Sequence, residues 1–180
     1  MIKIGELPKF WTPEDDIYSP VQLVSVARSI NDFMPDLSKS AEPISAADLE
    51  SILRQSNFHL IFAIDDSFIV DDSLVDRVVG MAVIFFTNRP EGWLGQIHSV
   101  VVDKNYRGQH IGSGLLKALL AEADLMAKRE NKKIKVELTS NPNNADRATA
   151  IKMYEKYGFK LAALAVDQDG TNLYRLVVTP

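Results

Sequence analysis

One stretch of this 180-residue sequence decides its fold class, and it reads Val100-Val101-Val102-Asp103-Lys104-Asn105-Tyr106-Arg107-Gly108-Gln109-His110-Ile111-Gly112-Ser113-Gly114-Leu115-Leu116. A run of three valines is typical of a strand that is covered on both faces and therefore lies in the middle of a sheet. The glycines after it indicate a tight turn, and the leucines begin a helical pattern. The segment predicts a central strand that passes through a glycine-rich turn into a long helix.

The start of that helix is a candidate site for an anion. N–H groups in the first turn of a helix have no intrahelical partner, and glycines let a phosphate approach the backbone. The phosphate loop of nucleotide hydrolases ends in Gly-Lys-Ser/Thr, whereas leucines follow Gly114; the dinucleotide fingerprint needs a third glycine where Lys117 stands. What remains is Gln109-x-x-Gly112-x-Gly114, which fits a phosphate site or a plain strand–helix connection.

The chain before this segment is predicted to begin with two helices. Apolar residues at a spacing of three predict a helix that ends at Pro35; they are Val21, Val24, Ala27 and Ile30. A capping box and an apolar pattern predict a second helix through Ser45, Asp48, Leu49, Ile52 and Leu53. Strands are predicted over 58–64, 77–86 and 94–103, with a turn at 88–92.

Five aspartates lie between positions 65 and 76. A calcium loop requires a central glycine and a glutamate at its twelfth position, and neither is present. We interpret this stretch as a solvated turn, with a metal site as the alternative.

The chain after the glycine-rich turn alternates between helix and strand. The apolar stripe of the long helix consists of Leu115, Leu116, Leu119, Leu120, Ala123 and Ala127. Alternation at 134–138 predicts a strand, a helix follows over 146–157, and Gly158 ends it. Residues 159–165 and 172–178 are predicted to form a hairpin. The pattern favours one mixed α/β domain, with helices covering a single layer of sheet.

Composition excludes several functional classes. The chain has no cysteine, which rules out disulfides, thiolate metal ligands and a cysteine nucleophile. Its net charge of −4 gives no broad positive field for duplex DNA, and its three histidines, including His59, lack the spacing of a zinc site. No apolar run approaches the ~20 residues of a membrane span, and the N-terminus does not read as a signal peptide. We expect a cytoplasmic protein with no metal, membrane or nucleic-acid partner.

The glycine-rich segment resembles the pyrophosphate-binding signature of the GCN5-related N-acetyltransferase (GNAT) superfamily, Arg/Gln-x-x-Gly-x-Gly/Ala. Downstream, Leu138–Pro142 and Met153–Phe159 are similar to the family's fifth strand and the helix after it. The strong likeness covers about residues 95–160, and Asn172–Arg175 looks like a recurrent ending. Residues 1–57 carry almost no such signal.

The resemblance implies a GNAT-like acyl-CoA N-acyltransferase fold of the α/β (α+β mixed) class. Its central sheet is mixed and mostly antiparallel, with six to seven strands and about four flanking helices. Residues 1–57 would shape the acceptor site, and residues 58–180 would form the sheet and the acetyl-CoA-binding core of a single domain over 1–180. The chain is expected to be a monomer or a homodimer.

The implied activity is transfer of an acetyl group from acetyl-CoA to a primary amine of a small molecule or protein. The mechanism would be direct attack in a ternary complex, with acetyl-CoA as co-substrate. One alternative is a non-catalytic module that binds acyl-CoA, and another is a nucleotide-phosphate enzyme using the same loop.

The resemblance also assigns roles to residues. The backbone of Val100 and Val102 would pair with the pantetheine arm, N–H groups by Val100 and Val101 would polarise the thioester carbonyl, and N–H groups from Gln109 through Gly114 would hold the pyrophosphate. The expected cofactor-binding positions are Val100, Val101, Val102, Arg107, Gly108, Gln109, His110, Ile111, Gly112, Ser113, Gly114, Asn144, Arg147 and Tyr154.

Two side chains are candidates for proton transfer. Tyr154 stands where the family often has a tyrosine near the sulfur of coenzyme A, and its alternative is a core aromatic. His98 occupies the place of a frequent glutamate base, with Ser99 ordering a water; a water chain or a structural histidine is the alternative.

The sequence also departs from the family pattern in three places. His110 replaces a common glycine, and Arg147 replaces a frequent asparagine. The segment 143–146 is longer than usual, which leaves open the asparagine that touches the cofactor.

Overall fold

The computed structural model describes residues 1–6, 20–37, 42–65, 69–70, 73–74 and 77–180. Its contacts divide the chain into two compact units, of which the first comprises Met1–Val83 and Ser99–Leu119 and the second Ile84–His98 and Leu120–Pro180. Most of the aspartate-rich stretch that we interpret as a solvated turn, including Asp66, Asp71, Asp72 and Asp76, lies outside the described residues.

Nine strands are present in the described residues. Their bounds are β1 Ile2–Glu6, β2 Phe58–Asp65, β3 Ile69–Val70, β4 Ser73–Leu74, β5 Arg77–Arg89, β6 Gly92–Val102, β7 Ile134–Ser140, β8 Lys160–Ala163 and β9 Asn172–Val178. Seven of them form one sheet in the order β1-β2-β5-β6-β7-β9-β8, while β3 and β4 pair separately. β1–β2, β7–β9 and β9–β8 are antiparallel, and β6–β7 is parallel. The predicted mixed, mostly antiparallel sheet is confirmed.

The described residues form four α-helices, as predicted. Their bounds are α1 Pro20–Leu37, α2 Ala46–Leu53, α3 Ile111–Glu130 and α4 Ala148–Lys156. Short 3-10 turns at Lys104–Tyr106 and Ala145–Arg147 precede α3 and α4. Within the described parts of the chain, no helix has the length and apolar character needed to cross a membrane.

In the first unit, α1 and α2 share a hydrophobic core with β2 and β5. The members of this core include Leu23, Ile30, Phe33, Leu49, Phe62 and Val78. The capping box of α2 is confirmed, since Ser45 Oγ accepts from the N–H of Asp48 at 3.1 Å and Asp48 Oδ2 accepts from the N–H of Ser45 at 3.1 Å.

The predicted face of α1 was partly wrong. Val24 is 47% exposed, and the buried residues instead include Leu23, Val26 and Phe33 beside the expected Ala27 and Ile30. A strict spacing of three drifts around a helix of 3.6 residues per turn, so it does not follow one face. Pro35 does not end the helix either, because α1 continues to Leu37 with the proline inside its last turn.

The N-terminal strand β1 was not predicted from the sequence. It pairs with β2 in a register that places Ile2 opposite Asp65 and Glu6 opposite Ile61. Its five residues, Ile-Lys-Ile-Gly-Glu, contain only two strong strand formers, so the pairing with β2 rather than local propensity specifies it.

The second unit follows its sequence pattern closely. Along β7, Ile134, Val136 and Leu138 are buried and the residues between them are exposed or half-buried, which confirms the predicted alternation. Gly158, with φ of +90°, ends α4 by a Schellman motif. In that motif the N–H of Phe159 donates to the carbonyl of Tyr154 at 3.1 Å.

The long helix and the central strand are as expected, with one difference. Five of the six residues in the predicted stripe of α3, all except Leu120, are fully buried. β6 lies between β5 and β7, which confirms its central place. Of the three valines only Val101 is buried, while Val100 and Val102 are half-buried, so the expectation that both faces are covered was wrong.

Candidate active site

The candidate residues fall into one group in each compact unit. The first unit contains residues 100–102 at the end of β6 and residues 107–114 in the turn and the start of α3. The second unit contains His98, Asn144, Arg147 and Tyr154.

In the first unit, the turn after β6 is anchored by the buried Asp103. Its Oδ1 accepts from the N–H of Asn105 at 2.9 Å, and its own N–H donates to the carbonyl of Val79 on β5 at 2.9 Å. Oδ2 accepts from Nη2 of Arg77 at 3.4 Å. Burying a carboxylate costs little free energy when hydrogen bonds and a nearby cation compensate for the lost water. The network around Asp103 therefore fixes the position at which the turn begins.

The side chain of Arg107 forms hydrogen bonds with β6 and α1. Its Nε donates to the carbonyl of Val102 at 3.2 Å, and its Nη2 donates to Oδ2 of Asp36 near the end of α1 at 3.1 Å. These contacts connect the turn to β6 and α1. They give Arg107 a positioning role for the turn, beside the cofactor contact that the resemblance implies.

Two left-handed residues shape the turn before α3. Gly108 has φ of +81° and His110 has φ of +59°. Histidine is among the few non-glycine residues that are enriched in this conformation. The left-handed backbone explains why the family pattern has a glycine at the position of His110.

The first turn of α3 presents backbone donors. Its first intrahelical bond runs from the N–H of Gly114 to the carbonyl of His110 at 3.0 Å. The N–H groups of Ile111, Gly112 and Ser113 precede it and therefore have no carbonyl four residues back within the helix. Such groups, with the helix dipole behind them, form a favourable place for an anion.

Gly114 lies against the side chain of Ile4 on β1. A Cβ at this position would require the end of the Ile4 side chain to move. Because its N–H is already bonded to His110, we leave Gly114 out of the proposed phosphate donors and keep Gln109 through Ser113.

The backbone of β6 is irregular beside the turn. Its parallel register with β7 runs from Trp93 opposite Ile134 to Ile97 opposite Leu138. Ser99, two residues further on, has φ of +53°, an uncommon conformation inside a strand. Residues 98–102 thus continue past the end of that pairing with a changed backbone direction.

Gly80 is a residue of this site that sequence reasoning missed. A Cβ at Gly80 would lie 2.9 Å from the carbonyl oxygen of Val101, so only glycine lets β5 approach β6 this closely. An isolated glycine within a valine-rich strand is the available signal for such an approach. Asp36, the partner of Arg107, gave no signal in the sequence.

In the second unit, Tyr154 lies on α4 and is 5% exposed. Its ring meets Phe159 edge-on, with centroids 6.2 Å apart and an interplanar angle of 66°. Burial raises the pKa of the Tyr154 phenol above its ordinary value of 10.0, and the Arg147 cation partly opposes that rise. The phenol is therefore protonated at neutral pH.

The asparagines after β7 have different surroundings. Asn141 Nδ2 donates to the carbonyl of Asp169 at 2.9 Å, and Asn141 Oδ1 accepts from the N–H of Asn143 at 2.8 Å. Asn141 therefore ties the β8–β9 connection to the segment before α4. Asn143 and Asn144 are both exposed, and the carbonyl of Asn144 accepts from the N–H of Arg147 at 2.9 Å.

His98 is exposed on β6, with one ring face against Phe85 of β5. The ring centroids are 5.4 Å apart and the rings are nearly parallel at 19°. Partial burial lowers the pKa of His98 below its ordinary value of 6.5. His59, in contrast, pairs through Nδ1 with Oε1 of Glu6 at 2.9 Å in the first unit.

Comparison with known proteins shows the family and the fold of this chain. The acetyltransferase (GNAT) domain family matches residues 58–161, which is more than half of the chain. The chain therefore belongs to the GNAT acetyltransferase family. No curated protein matches the sequence significantly.

Solved structures with a similar fold come from several organisms. NAA60 from Arabidopsis thaliana in complex with acetyl-CoA has a TM-score of 0.65 at 14% identity, over 99% of each chain. A putative acetyltransferase from Acinetobacter baylyi has a TM-score of 0.66 at 18% identity, over 100% of this chain and 95% of that one. The ribosomal-protein-S18-alanine N-acetyltransferase from Escherichia coli has a TM-score of 0.58 at 17% identity, over 100% and 96%. These likenesses establish the fold.

Proposed function

We propose that this chain is an acetyl-CoA-dependent N-acetyltransferase that acetylates a primary amine of a small molecule or protein by direct attack in a ternary complex. The observation that carries the proposal is the left-handed turn through Gly108 and His110, which leads into the N–H groups of Ile111, Gly112 and Ser113, none of which has an intrahelical partner. Membership of the GNAT acetyltransferase family and the similar fold of Arabidopsis thaliana NAA60 in complex with acetyl-CoA support it.

The residues of the first unit are assigned to two polar parts of coenzyme A, its pyrophosphate and its pantetheine amides. The pyrophosphate is assigned to backbone N–H groups from Gln109 to Ser113, where the helix dipole favours negative charge. The pantetheine amides are assigned to the backbone of Val100 and Val102, in the part of β6 that continues past its register with β7. An arm bound there would add to the sheet as an extra strand does.

Tyr154 is assigned as the general acid. Acetyl-CoA supplies a thioester, and its sulfur must take a proton when it departs as coenzyme A. A phenol holds its proton at neutral pH, and burial, which raises the pKa of Tyr154 above 10.0, strengthens that hold. The Arg147 cation stabilises the phenolate that remains after the proton is given.

His98 is assigned as the base for the acceptor. A lysine-type amine has a pKa of about 10.4 and arrives protonated, so a proton must leave before the nitrogen attacks. The lowered pKa of His98 keeps its imidazole neutral at pH 7, which is the form that accepts a proton. The exposed edge of the ring leaves room for the amine or for a water held by Ser99.

His98→Ala is expected to change the pH dependence of the rate. Because partial burial holds the pKa of His98 below 6.5, the parent rate should rise with pH through a limb below that value and level off near pH 7. The variant should lose this limb and turn over roughly 10² times more slowly near neutrality. The measurement is kcat/KM against pH with a fixed amine.

Two other histidine variants serve as controls for that profile. His59→Ala removes the histidine that pairs with Glu6, and His110→Asn keeps a residue that tolerates the left-handed backbone. Both should retain the acid limb. An acid limb that persists in His98→Ala would assign the base to another group or to bulk water.

The proposed function is tested by ligand-induced stabilisation together with thiol release. Acetyl-CoA at a hundred times its Kd should stabilise the fold by about 2.7 kcal/mol, while ATP at the same concentration should not. Coenzyme A release should then be screened with a library of primary amines. A stabilising shift with no thiol release from any amine would favour a non-catalytic acyl-CoA-binding module, and no shift at all would contradict the proposal.

A further inference from the structure

The positive charge of this acidic protein is concentrated near the end of α3. Residues 128–135 contain five basic residues and one acidic residue, a local formal charge of +4. Since the whole chain has a net charge of −4, the remaining residues carry −8. The five basic residues are all exposed and define the basic patch, which consists of Lys128, Arg129, Lys132, Lys133 and Lys135.

The backbone holds the patch in a fixed shape. Asn131, with φ of +49°, ends α3, and the N–H of Lys132 donates to the carbonyl of Ala127 at 3.1 Å. This is the bond pattern of a Schellman motif, which sets the path of the backbone between α3 and β7. Lys133 precedes the fully buried Ile134, the first residue of β7, and Lys135 follows it; both lysines are exposed.

Three of the five cations have no counter-ion within the described parts of the chain. Lys128 pairs with Asp124 at 2.6 Å, and Arg129 pairs with Glu130 at 3.1 Å. The ammonium groups of Lys132, Lys133 and Lys135 make no such contact with a described residue. The patch therefore presents uncompensated positive charge to a ligand.

We propose that the basic patch binds an acidic segment of a partner protein. Carboxylates complement the three uncompensated ammonium groups, and the register of β7 with β9 places the apolar Val177, which is 50% exposed, opposite Lys135. A segment that mixes acidic and apolar side chains matches this combination.

Nucleic acid fits the patch less well. Residues 121–137 contain no aromatic side chain on which a base would stack. The charge of −8 on the rest of the chain opposes the approach of a long phosphate backbone, whereas a short acidic segment meets only the patch.

The patch is separate from the candidate active-site residues of the same unit. It lies at the Ile134 end of β7, and Asn141 follows the Ser140 end. Seven residues of strand span about 20 Å, so the patch serves docking and not proton transfer or cofactor contact.

The test is binding of a fluorescein-labelled, glutamate-rich peptide that contains leucine to the full chain, measured by anisotropy at two salt concentrations. Reversing Lys132, Lys133 and Lys135 together to glutamate should weaken binding roughly tenfold or more, and substitution of the same three by glutamine should weaken it less. Binding to the parent should fall as salt rises. Reversal of the exposed Lys152 and Lys156 on α4 together with Lys160 on β8 changes the net charge by the same amount, and this matched control should leave affinity within about twofold.

Thiol release with a small amine should be the same in the patch variants and the parent, which separates failure of the patch from failure of the acetyltransferase proposal. Equal peptide affinity in the two charge-reversed proteins would overturn the docking site. Single-stranded oligouridylate or phosphatidylserine vesicles could instead bind more tightly than the peptide. If the same three lysine substitutions abolished that tighter binding, the proposed class of partner would be wrong.

Discussion

Tyr154→Phe is expected to lower turnover by roughly 10²–10⁴ while leaving the affinity for acetyl-CoA nearly unchanged. The substitution keeps the buried ring and its edge-on contact with Phe159, and it removes only the hydroxyl. Without that proton donor, the thiolate must leave as an anion or take its proton from water. Turnover and acetyl-CoA affinity, measured on the same preparation, check this result.

The pH profile gives a second measure of the same role. Burial raises the pKa of Tyr154 above 10.0, so the acid form persists throughout the neutral range. An alkaline loss of rate caused by its ionisation should therefore have its midpoint above pH 10 in the parent. The phenylalanine variant should lack that loss, because its ring has no proton to give.

Tyr157→Phe is the matched control, since Tyr157 follows α4, is half-buried and has no assigned catalytic part. Its turnover should stay close to that of the parent. If Tyr154→Phe, at an unchanged melting temperature, also turned over within a factor of two of the parent, Tyr154 would be a core aromatic and no more.

Local rules were sufficient for the elements whose signals lie close together in sequence. Three such features depend on residues within about one helical turn or one strand. They are the capping box of Ser45 and Asp48, the apolar alternation from Ile134 to Leu138, and the end of α4 at Gly158. Each such feature is stabilised by contacts among neighbours, so the sequence pattern and the fold agree.

Tertiary contacts decided the elements that the sequence did not reveal. β1 exists because β2 offers it a partner 55 or more residues away along the chain, and its Ile4 lies against Gly114 of α3. The buried face of α1 is set by the core it shares with α2 and β2, which no spacing rule within α1 contains.

The candidate site shows the same division. The glycine-rich turn was visible in the sequence because left-handed backbone and helix starts have local signatures. The ion pair between Arg107 and Asp36 joins residues 71 positions apart, and the approach of Gly80 to Val101 joins two strands. These two contacts form only when the chain is folded, so the sequence does not reveal them. They nevertheless position the glycine-rich turn that the sequence does reveal.

Gly112→Glu is expected to lower the affinity for acetyl-CoA by roughly a hundredfold or more. It adds a carboxylate to the first turn of α3, among the N–H groups assigned to the pyrophosphate, and two negative groups within about 4 Å repel by several kcal/mol at a protein surface. Acidic residues are favourable in the first turn of a helix, and glutamate is a better helix former than glycine. The protein without ligand should therefore melt no lower than the parent, while the stabilisation by acetyl-CoA disappears.

Ala121→Glu separates this local effect from a change in net charge. Ala121 is exposed on the same helix, and its substitution adds the same single negative charge outside the first turn. Calorimetric titration with acetyl-CoA should give nearly the parent affinity for Ala121→Glu and little or no heat for Gly112→Glu. Parent-like affinity in both proteins would mean that the pyrophosphate lies elsewhere. A carboxylate among its proposed donors would repel a doubly charged ligand group and weaken its binding. Since the helix itself should gain from the substitution, a loss of binding with an intact fold would assign the anion to these backbone groups and not to a general loss of structure.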